Sequence, residues 1–395
     1  MEPVSTCKLF GAVRAVSGIR NAVPLIHGPR GCAYHTGYLL TARGGKRIRV
    51  LSTELSESDV VFGATDKLKK AIVDADRTLK PDLIAVMSSC ATSIIGEDLG
   101  RAVAEVRGKI DSQIIAISAG GFESNQGEGY LDVMMALIES LSADVKPSAE
   151  PSINIIGEFR GGPDLNHIVN TLGGMGVSVN CVLTSGSTVS DIERIASAHL
   201  NYSFCDVSGI DPCRFLEEKF GIPFIHHPIP LGFSNTLRFY EGILDHLSID
   251  YPIQDEIGEY AEEMDRLRSE LGGVRVGIVS GPTRAVALAE FVTELGMKPA
   301  LVAMDMIGDY TLENLSGTGV RSEVLVGADL YELEDALIRN EPEVILGGVA
   351  ETRFSQSLGV PLIDVMHGSA LTAGFRGACV TGGSILEAVR SRICY

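Results

Sequence analysis

Short apolar runs followed by segments of mixed polarity recur along the whole chain. Strands are predicted over 22–26, 48–53, 81–87, 114–118, 153–156, 177–183, 200–204, 223–225, 274–279, 298–303, 344–346 and 361–365. The runs at 81–87 and 114–118 are close to continuously apolar, the pattern of strands buried on both faces of a parallel sheet. Helices are predicted over 56–74, 94–106, 165–173, 190–197, 212–220, 256–271 and 285–295. The first opens on Ser56-Glu57-Ser58-Asp59, an N-cap with an acidic first turn. Residues 1–21 show little periodicity. The alternation predicts an α/β protein whose functional loops lie at the carboxyl ends of strands. A polar stretch with two prolines at 142–151 and a charged connector helix at 256–271 divide it into three Rossmann-like units with mainly parallel sheets. Their expected bounds are 1–150, 151–271 and 272–395.

Composition narrows the function classes. The chain has 395 residues, 45% hydrophobic and 21% charged, enough for a large core. No apolar run reaches the roughly 18 residues of a membrane span. Met1-Glu2-Pro3 lacks the basic and apolar regions of a secretory signal, so a cytoplasmic location with no membrane partner is expected. A net charge of −18 argues against nucleic acid as a partner. The basic residues between Arg43 and Arg49 read as a solvated turn. Gly281-Pro282-Thr283 is not GxGxxG, and the chain has no Walker motif, so direct nucleotide binding is not expected.

The eight cysteines then carry the candidate chemistry. In a reducing compartment they are thiols, metal ligands or small buried hydrophobes, and no CxxC pair is present. Any metal site must be assembled from distant segments. Cys32 follows the first strand in the turn His27-Gly-Pro-Arg-Gly-Cys32, and Cys90 follows the strand at 81–87. Cys7 lies in the irregular N-terminal segment. Read by position alone, these three either converge on an iron–sulfur cluster, which thiolates suit, or are scattered free thiols. Cys181 reads as core, and Cys213, Cys379 and Cys394 as structural.

Several stretches carry a family resemblance. They are His27-Gly-Pro-Arg-Gly-Cys32, Ser56-Glu-Ser-Asp-Val-Val-Phe-Gly63 with Lys67-Leu68, and Ser89-Cys90-Ala-Thr-Ser-Ile-Ile-Gly-Glu-Asp98. Ser118-Ala-Gly-Gly-Phe122, Ile155-Ile-Gly-Glu158 and Leu200-Asn-Tyr-Ser-Phe-Cys205 with Glu217-Glu-Lys-Phe-Gly-Ile-Pro223 follow in order. Together they resemble the α-type branch of the nitrogenase component 1 family, the nitrogenase α subunit and its NifE-type relative. The resemblance runs from Cys7 to about Gly377. It implies three Rossmann-type domains and an interface iron–sulfur cluster, 4Fe-4S or P-cluster-like, on Cys7, Cys32 and Cys90. It also implies a second site where Cys205 holds a larger Fe–S or Mo–Fe–S cofactor or its precursor. The implied partners are a β-type component 1 subunit or a second copy of this chain, and an ATP-hydrolysing iron protein.

The same resemblance marks departures from a dinitrogen reductase. Arg376, in Gly374-Phe375-Arg376-Gly377, stands where nitrogenase has its cofactor-binding histidine, and an arginine is no neutral imidazole ligand. Gln126 matches a pocket glutamine, Tyr130 replaces a proton-donating histidine, Leu40 a pocket arginine and Ser357 an acid-anchoring lysine. Expected cofactor contacts are thus Gln126 and Arg376, with Tyr130 and His367 as candidate catalytic groups. The reading is a NifE-like scaffold for cofactor maturation. The alternative is an oxidoreductase that takes electrons from an iron protein to reduce a tetrapyrrole or other small molecule.

Overall fold

The computed structural model describes residues 6–42, 48–226, 229–367 and 370–393, so most of the basic stretch at 43–49, and Cys394, lie outside the described residues. The chain begins α1 (Lys8–Ser17), β1 (Ala22–His27), α2 (Arg30–Ala42), β2 (Leu51–Ser52), α3 (Glu57–Phe62), α4 (Thr65–Leu79) and β3 (Leu83–Ser88). It continues with α5 (Cys90–Ile94), α6 (Leu99–Val106), β4 (Gln113–Ile117) and α7 (Gln126–Leu141). Next come β5 (Ser152–Glu158), α8 (Gly162–Gly174), β6 (Ser178–Thr184), α9 (Val189–Glu193), β7 (Leu200–Ser203) and α10 (Ile210–Phe220). After β8 (Phe224–His226) follow α11 (Phe233–Leu247) and α12 (Ile253–Leu271). The last stretch holds β9 (Arg275–Val279), α13 (Pro282–Glu294), β10 (Lys298–Met304), α14 (Thr311–Gly317), β11 (Glu323–Val326) and α15 (Leu330–Asn340). It ends with β12 (Val344–Gly347), α16 (Thr352–Leu358), β13 (Leu362–Asp364) and α17 (Gly374–Ile393).

Three sheets result, ordered β2-β1-β3-β4, β6-β5-β7-β8 and β11-β10-β9-β12-β13. Every strand pair in them is parallel. The α/β class with parallel sheets expected from the apolar runs is what the chain adopts. The cores do not respect the sheets. One apolar cluster joins Leu9, Phe10 and Ile26 to Ile156, Leu183 and Leu216, and a second joins Ile153 and Tyr202 to Ile278 and Leu386. Helix α17 packs back on α12, α11 and α8. Among the described residues no helix is long and apolar enough to cross a membrane.

Several local expectations change. The helix expected over 56–74 is two helices, because Gly63, at φ +87°, ends α3 with a turn that a side-chain-bearing residue resists. Ser56 does cap α3, in a reciprocal capping box with Asp59. The helix expected over 94–106 is likewise α5 and α6, separated by a turn in which Gly96 has φ +74°. Helix α1 occupies the segment that showed no periodicity.

Helix α1 is held by α7 at backbone distance. A Cβ at Gly11 would lie 2.0 Å from Gln126 O, and one at Gly129 would lie 2.1 Å from Lys8 O. Lys8 N donates to Ser124 O at 3.1 Å and Gln126 N to Thr6 O at 3.0 Å, so the start of α1 is zipped to the start of α7. Thr184 Oγ1 donates to Ala15 O at 2.6 Å and fixes the other end to the second sheet. Gly129→Val should therefore lower stability in urea denaturation by roughly 1–3 kcal/mol or more, since both clashing groups are backbone and cannot rotate away. A wild-type denaturation midpoint would refute the close approach.

Candidate functional site

Two groups of side chains stand at the ends of strands and helices. The first is the trio Cys7, Cys32 and Cys90. Cys7 is the N-cap of α1, Cys32 lies in the first turn of α2 and Cys90 opens α5. Strands β1 and β3 pair with His27 opposite Ser88, so the two loops that follow emerge side by side. Gly28 is required there, because a Cβ would fall 2.5 Å from Ser89 Cβ. The glycine thus serves packing of the two loops, while Gly31 faces open space. His27 is fully buried, its Nδ1 3.0 Å from Thr53 Oγ1, which also accepts the Gly28 N–H.

Gly121 joins the trio from the loop after β4. Its N–H donates to Cys90 Sγ at 3.2 Å, and a Cβ there would meet Cys7 Sγ and Cys90 Sγ at 3.3 and 3.2 Å. Burial pushes the Cys32 thiol up, with Cys90 and Cys7 adding to the effect as neighbouring thiols. Three thiolates crowded together repel one another, and a cationic iron core would relieve that repulsion. Among the described residues no three His, Cys, Asp or Glu side chains converge closely enough for a single metal ion. Three thiols are a donor set that suits a multi-iron cluster better than a single ion, and Cys7 and Cys90 are exposed. Tyr34, Ile94 and Phe122 are large exposed apolar side chains on the same segments, the kind of surface that meets another protein.

The second group lines a cavity of about 240 Å³ between the second and third sheets, with α1 and α7 on one side. Cys205, after β7, is the thiol among its described lining residues. Gly157, at φ +88°, lets the thiol in: a Cβ there would lie 2.8 Å from Cys205 Cβ. Ser208 donates to Cys205 Sγ at 3.1 Å, while burial pushes the thiol up. The next residue, Asp206, clamps the loop to the third unit. Its N–H donates to Thr283 Oγ1 at 3.0 Å, its carboxylate accepts the Tyr310 N–H at 3.0 Å, and Thr311 donates to it closely.

Gln126 and Tyr130, on α7, both line the cavity. Gln126 Oε1 accepts from Thr6 Oγ1 at 2.6 Å and its amide donates to Asp305 Oδ2 at 2.6 Å. The Tyr130 ring stacks on Phe159 at 4.4 Å. His367 lines the opposite wall from the loop after β13. Arg376 does not join them. It is exposed on α17, is not a lining residue, and its charge is felt by His167 and Tyr260. The expected cofactor contact from Arg376 is therefore corrected: the first turn of α17 points that side chain away. Leu40 is buried in core rather than at the cavity, and Ser357 is likewise absent from its lining.

The cations the sequence reading missed are Arg14, Arg160 and Arg284, all lining the cavity of this acidic protein. Arg284 is buried, held by Val365 O at 2.8 Å, Thr372 Oγ1 at 3.1 Å and Asp164 at 3.3 Å. Burial, then Arg160, push its guanidinium down to about 10 against the pull of Asp164, so it stays charged at neutral pH. Its Nε has no hydrogen-bond partner among the described residues. A buried unsatisfied donor costs about 1–3 kcal/mol, and this nitrogen is shielded from the cavity space as well as from bulk solvent. The one sequence signal was an arginine on the first turn of a helix that follows a strand and a Gly-Pro turn. Glu158, Asp305 and Glu351 line the same cavity, with Arg160 3.7 Å from Glu158, so the guanidinium groups are balanced by carboxylates and the thiol and imidazole are the donors that suit an iron–sulfur group.

Alkylation of the metal-free chain, followed by mass spectrometry, reads out this arrangement. Cys7 and Cys90 should label first, being exposed. Cys32 should follow with a pH profile displaced upward, because its raised thiol yields less thiolate at any given pH. Cys181 and Cys213, buried thiols pushed far up, should label only on unfolding. For those two the unfolded chain loses its protons first, so stability should fall as pH rises past the ordinary thiol value. Fast labelling of Cys181 in the folded chain would contradict the assignment.

Comparison with known proteins adds to this geometry. The family model for nitrogenase component 1 type oxidoreductases matches residues 7–390. The nitrogenase iron-molybdenum cofactor biosynthesis protein NifE of Methanosarcina barkeri is 28% identical over 386 residues, covering 91% of this chain and 83% of its own length. The nitrogenase molybdenum-iron protein beta chain of Methanococcus maripaludis is 27% identical over 405 residues, covering 92% and 87%. The solved structure of nitrogenase Cp1 at pH 6.5 superposes with a TM-score of 0.91 at 20% identity, covering 100% of this chain and 94% of that one. That likeness establishes the fold.

Proposed function

The chain belongs to the nitrogenase component 1 type oxidoreductases, and from that premise we propose that it is a NifE-like scaffold subunit for cofactor maturation. Its cargo, in this reading, is an Fe–S or Mo–Fe–S precursor held in the Cys205 cavity. The observation that carries the reading is the make-up of that cavity. Cys205 is its thiol, three arginines line it, and Arg376, at the position of nitrogenase's histidine, is exposed outside it. A dinitrogen reductase needs its cofactor fixed for turnover, whereas a scaffold must hold its cargo and let it go.

Cys7, Cys32 and Cys90 hold a 4Fe-4S or P-cluster-like group in this proposal, which supplies one-electron transfer when bound. The chain's own part is to keep three thiols together at a contact surface. That surface would be completed by a β-type subunit or a second copy of this chain, and an ATP-hydrolysing iron protein would dock nearby as electron donor. Arg14, Arg160 and Arg284 would neutralise the cargo and offer it charge-assisted hydrogen bonds.

A second reading, a reductase of a different substrate, draws on Tyr130 and His367, two proton-bearing groups in the same cavity. The cavity of about 240 Å³ lies just below the roughly 300–1,000 Å³ typical for drug-sized ligands, so turnover of a reducible substrate, rather than size, separates the two readings.

The test is anaerobic purification with iron analysis and absorption spectroscopy. Wild type should carry two iron species, Cys205→Ala only the interface species, and Cys32→Ala only the cavity species. Transfer of an intact cluster to an apo-acceptor, without turnover of a reducible substrate, is the expected activity. A protein without iron, or total iron unchanged in Cys205→Ala, would overturn the proposal.

A further inference from the structure

The loop between β5 and α8 is tied at both ends and loosely held between them. At its base, Glu158 pairs with Thr184 and its carbonyl accepts the Ser185 N–H at 2.9 Å. At its far end, Asp164 on the first turn of α8 accepts the Thr372 N–H at 2.6 Å and the Ala373 N–H at 3.0 Å. Between these anchors Phe159 and Arg160 line the cavity, while Gly162 is exposed. The loop thus stands between the cavity and solvent. Its base also lies against the thiol, since a Cβ at Gly157 would meet Cys205 Cβ at 2.8 Å.

Little holds the middle of the loop. The N–H groups of Arg160 and Gly161 both donate to Glu158 Oε1, at 2.5 and 3.0 Å, and the Arg160 side chain reaches back to Glu158 at 3.7 Å. These contacts stay within the loop and its own base, so the Glu158 side chain can follow the loop as it moves. Among the described residues no hydrogen bond joins 159–161 to another segment. What remains is the stack of the Phe159 ring on Tyr130 of α7, with centroids 4.4 Å apart. Such a stack is worth a factor of roughly 2–10 in an opening equilibrium. Gly161, at φ +65° and ψ −139°, and Gly162, at φ +76°, supply a turning point, in backbone regions that side-chain-bearing residues resist. Helix α8 starts there without a side-chain cap.

We propose that residues 159–162 are a flap, turning on Gly161 and Gly162, through which the cargo reaches Cys205 and leaves it. This flap rests on the cargo-holding reading above and gives that cargo its route. Opening parts one aromatic stack and carries Arg160 outward with the loop, where its charge meets an approaching anion. A route between the second and third units is costlier. It must break the bonds of Asp206 to Thr283 and Tyr310, and those of Asp164 to Arg284 and Thr372. Opening the flap leaves all of these in place.

The experiment uses the full metal-free chain, with Cys205 as its reporter. Alkylation of Cys205 by iodoacetamide and by its fluorescein conjugate is followed by mass spectrometry. The ratio of the bulky to the small rate cancels any change in thiolate fraction. Phe159→Leu keeps an apolar side chain, removes the stack and should raise that ratio roughly 2–10-fold. Thr283→Val, which removes a bond across the unit boundary, should leave the ratio at its wild-type value. Cys181 should stay unlabelled in both variants, the mark of a folded chain. In wild type, with no variant needed, the bulky adduct on Cys205 should speed hydrogen exchange at 159–162 and leave the Tyr310 and Thr372 amides protected. A ratio unmoved by Phe159→Leu, or exchange that rises at Tyr310 and Thr372 instead, overturns the flap. A wild-type protein purified without iron overturns the cargo-holding reading, and the flap is still judged by these measurements on the metal-free chain.

Discussion

The backbone-to-backbone contact of α1 with α7 is the constraint on which both sites depend. Gly11 and Gly129 remove the side chains that would hold the helices apart, and the closest atoms are then carbonyl oxygens of the facing helix. Close-packed backbone has no rotamer to relax into. The N-cap of α1 is Cys7 and the first residue of α7 is Gln126, so one contact positions an interface thiol and a cavity amide. Thr6 tightens the link, donating to Gln126 Oε1, while Gln126 donates on to Asp305. The salt bridges of Lys8 with Asp132 and Glu123 lie on the same seam and are secondary, since such pairs near the surface are worth about 1 kcal/mol or less.

The cavity shows the opposite economy, in which charges are kept inside as pairs, Arg284 with Asp164 and Arg160 with Glu158. Burying a guanidinium is costly unless it is paired, and Arg284 has Asp164, a carbonyl and a hydroxyl to offset that cost. Those partners leave Nε unmet. A purely structural arginine would be expected to satisfy its donors within the fold.

How much of this the sequence disclosed depended on which signal each element carried. Strands buried on both faces are continuous apolar runs, so β3, β4 and β9 were legible from composition over a few residues. Helix α1 was not, because seven of its ten residues are buried and a helix surrounded by protein shows no polar face. Cys7, Cys32 and Cys90 were legible as positions after strands or in a resembling motif, and the structure brings them together around Gly121. Arg376 shows the limit of reading a position by its neighbours. The chain around it aligns, but the helical turn at Gly374 decides which way a side chain faces, and here it faces outward. Arg14, Arg160 and Arg284 come from three separate segments, and only the folded chain could place them on one cavity.

The sharing of apolar cores between sheets gives the cavity its character. One cluster runs from α1 into the second sheet, and another runs from the second sheet through β9 to α17. Three units separated by independent cores would slide or hinge at their boundaries, as loosely joined domains do. Here Cys205 is tied to the third unit through Asp206, and Arg284 of the third unit is tied to Asp164 of the second. The cavity wall is therefore built from both sides at once, and widening it means breaking buried hydrogen bonds rather than parting a wet interface.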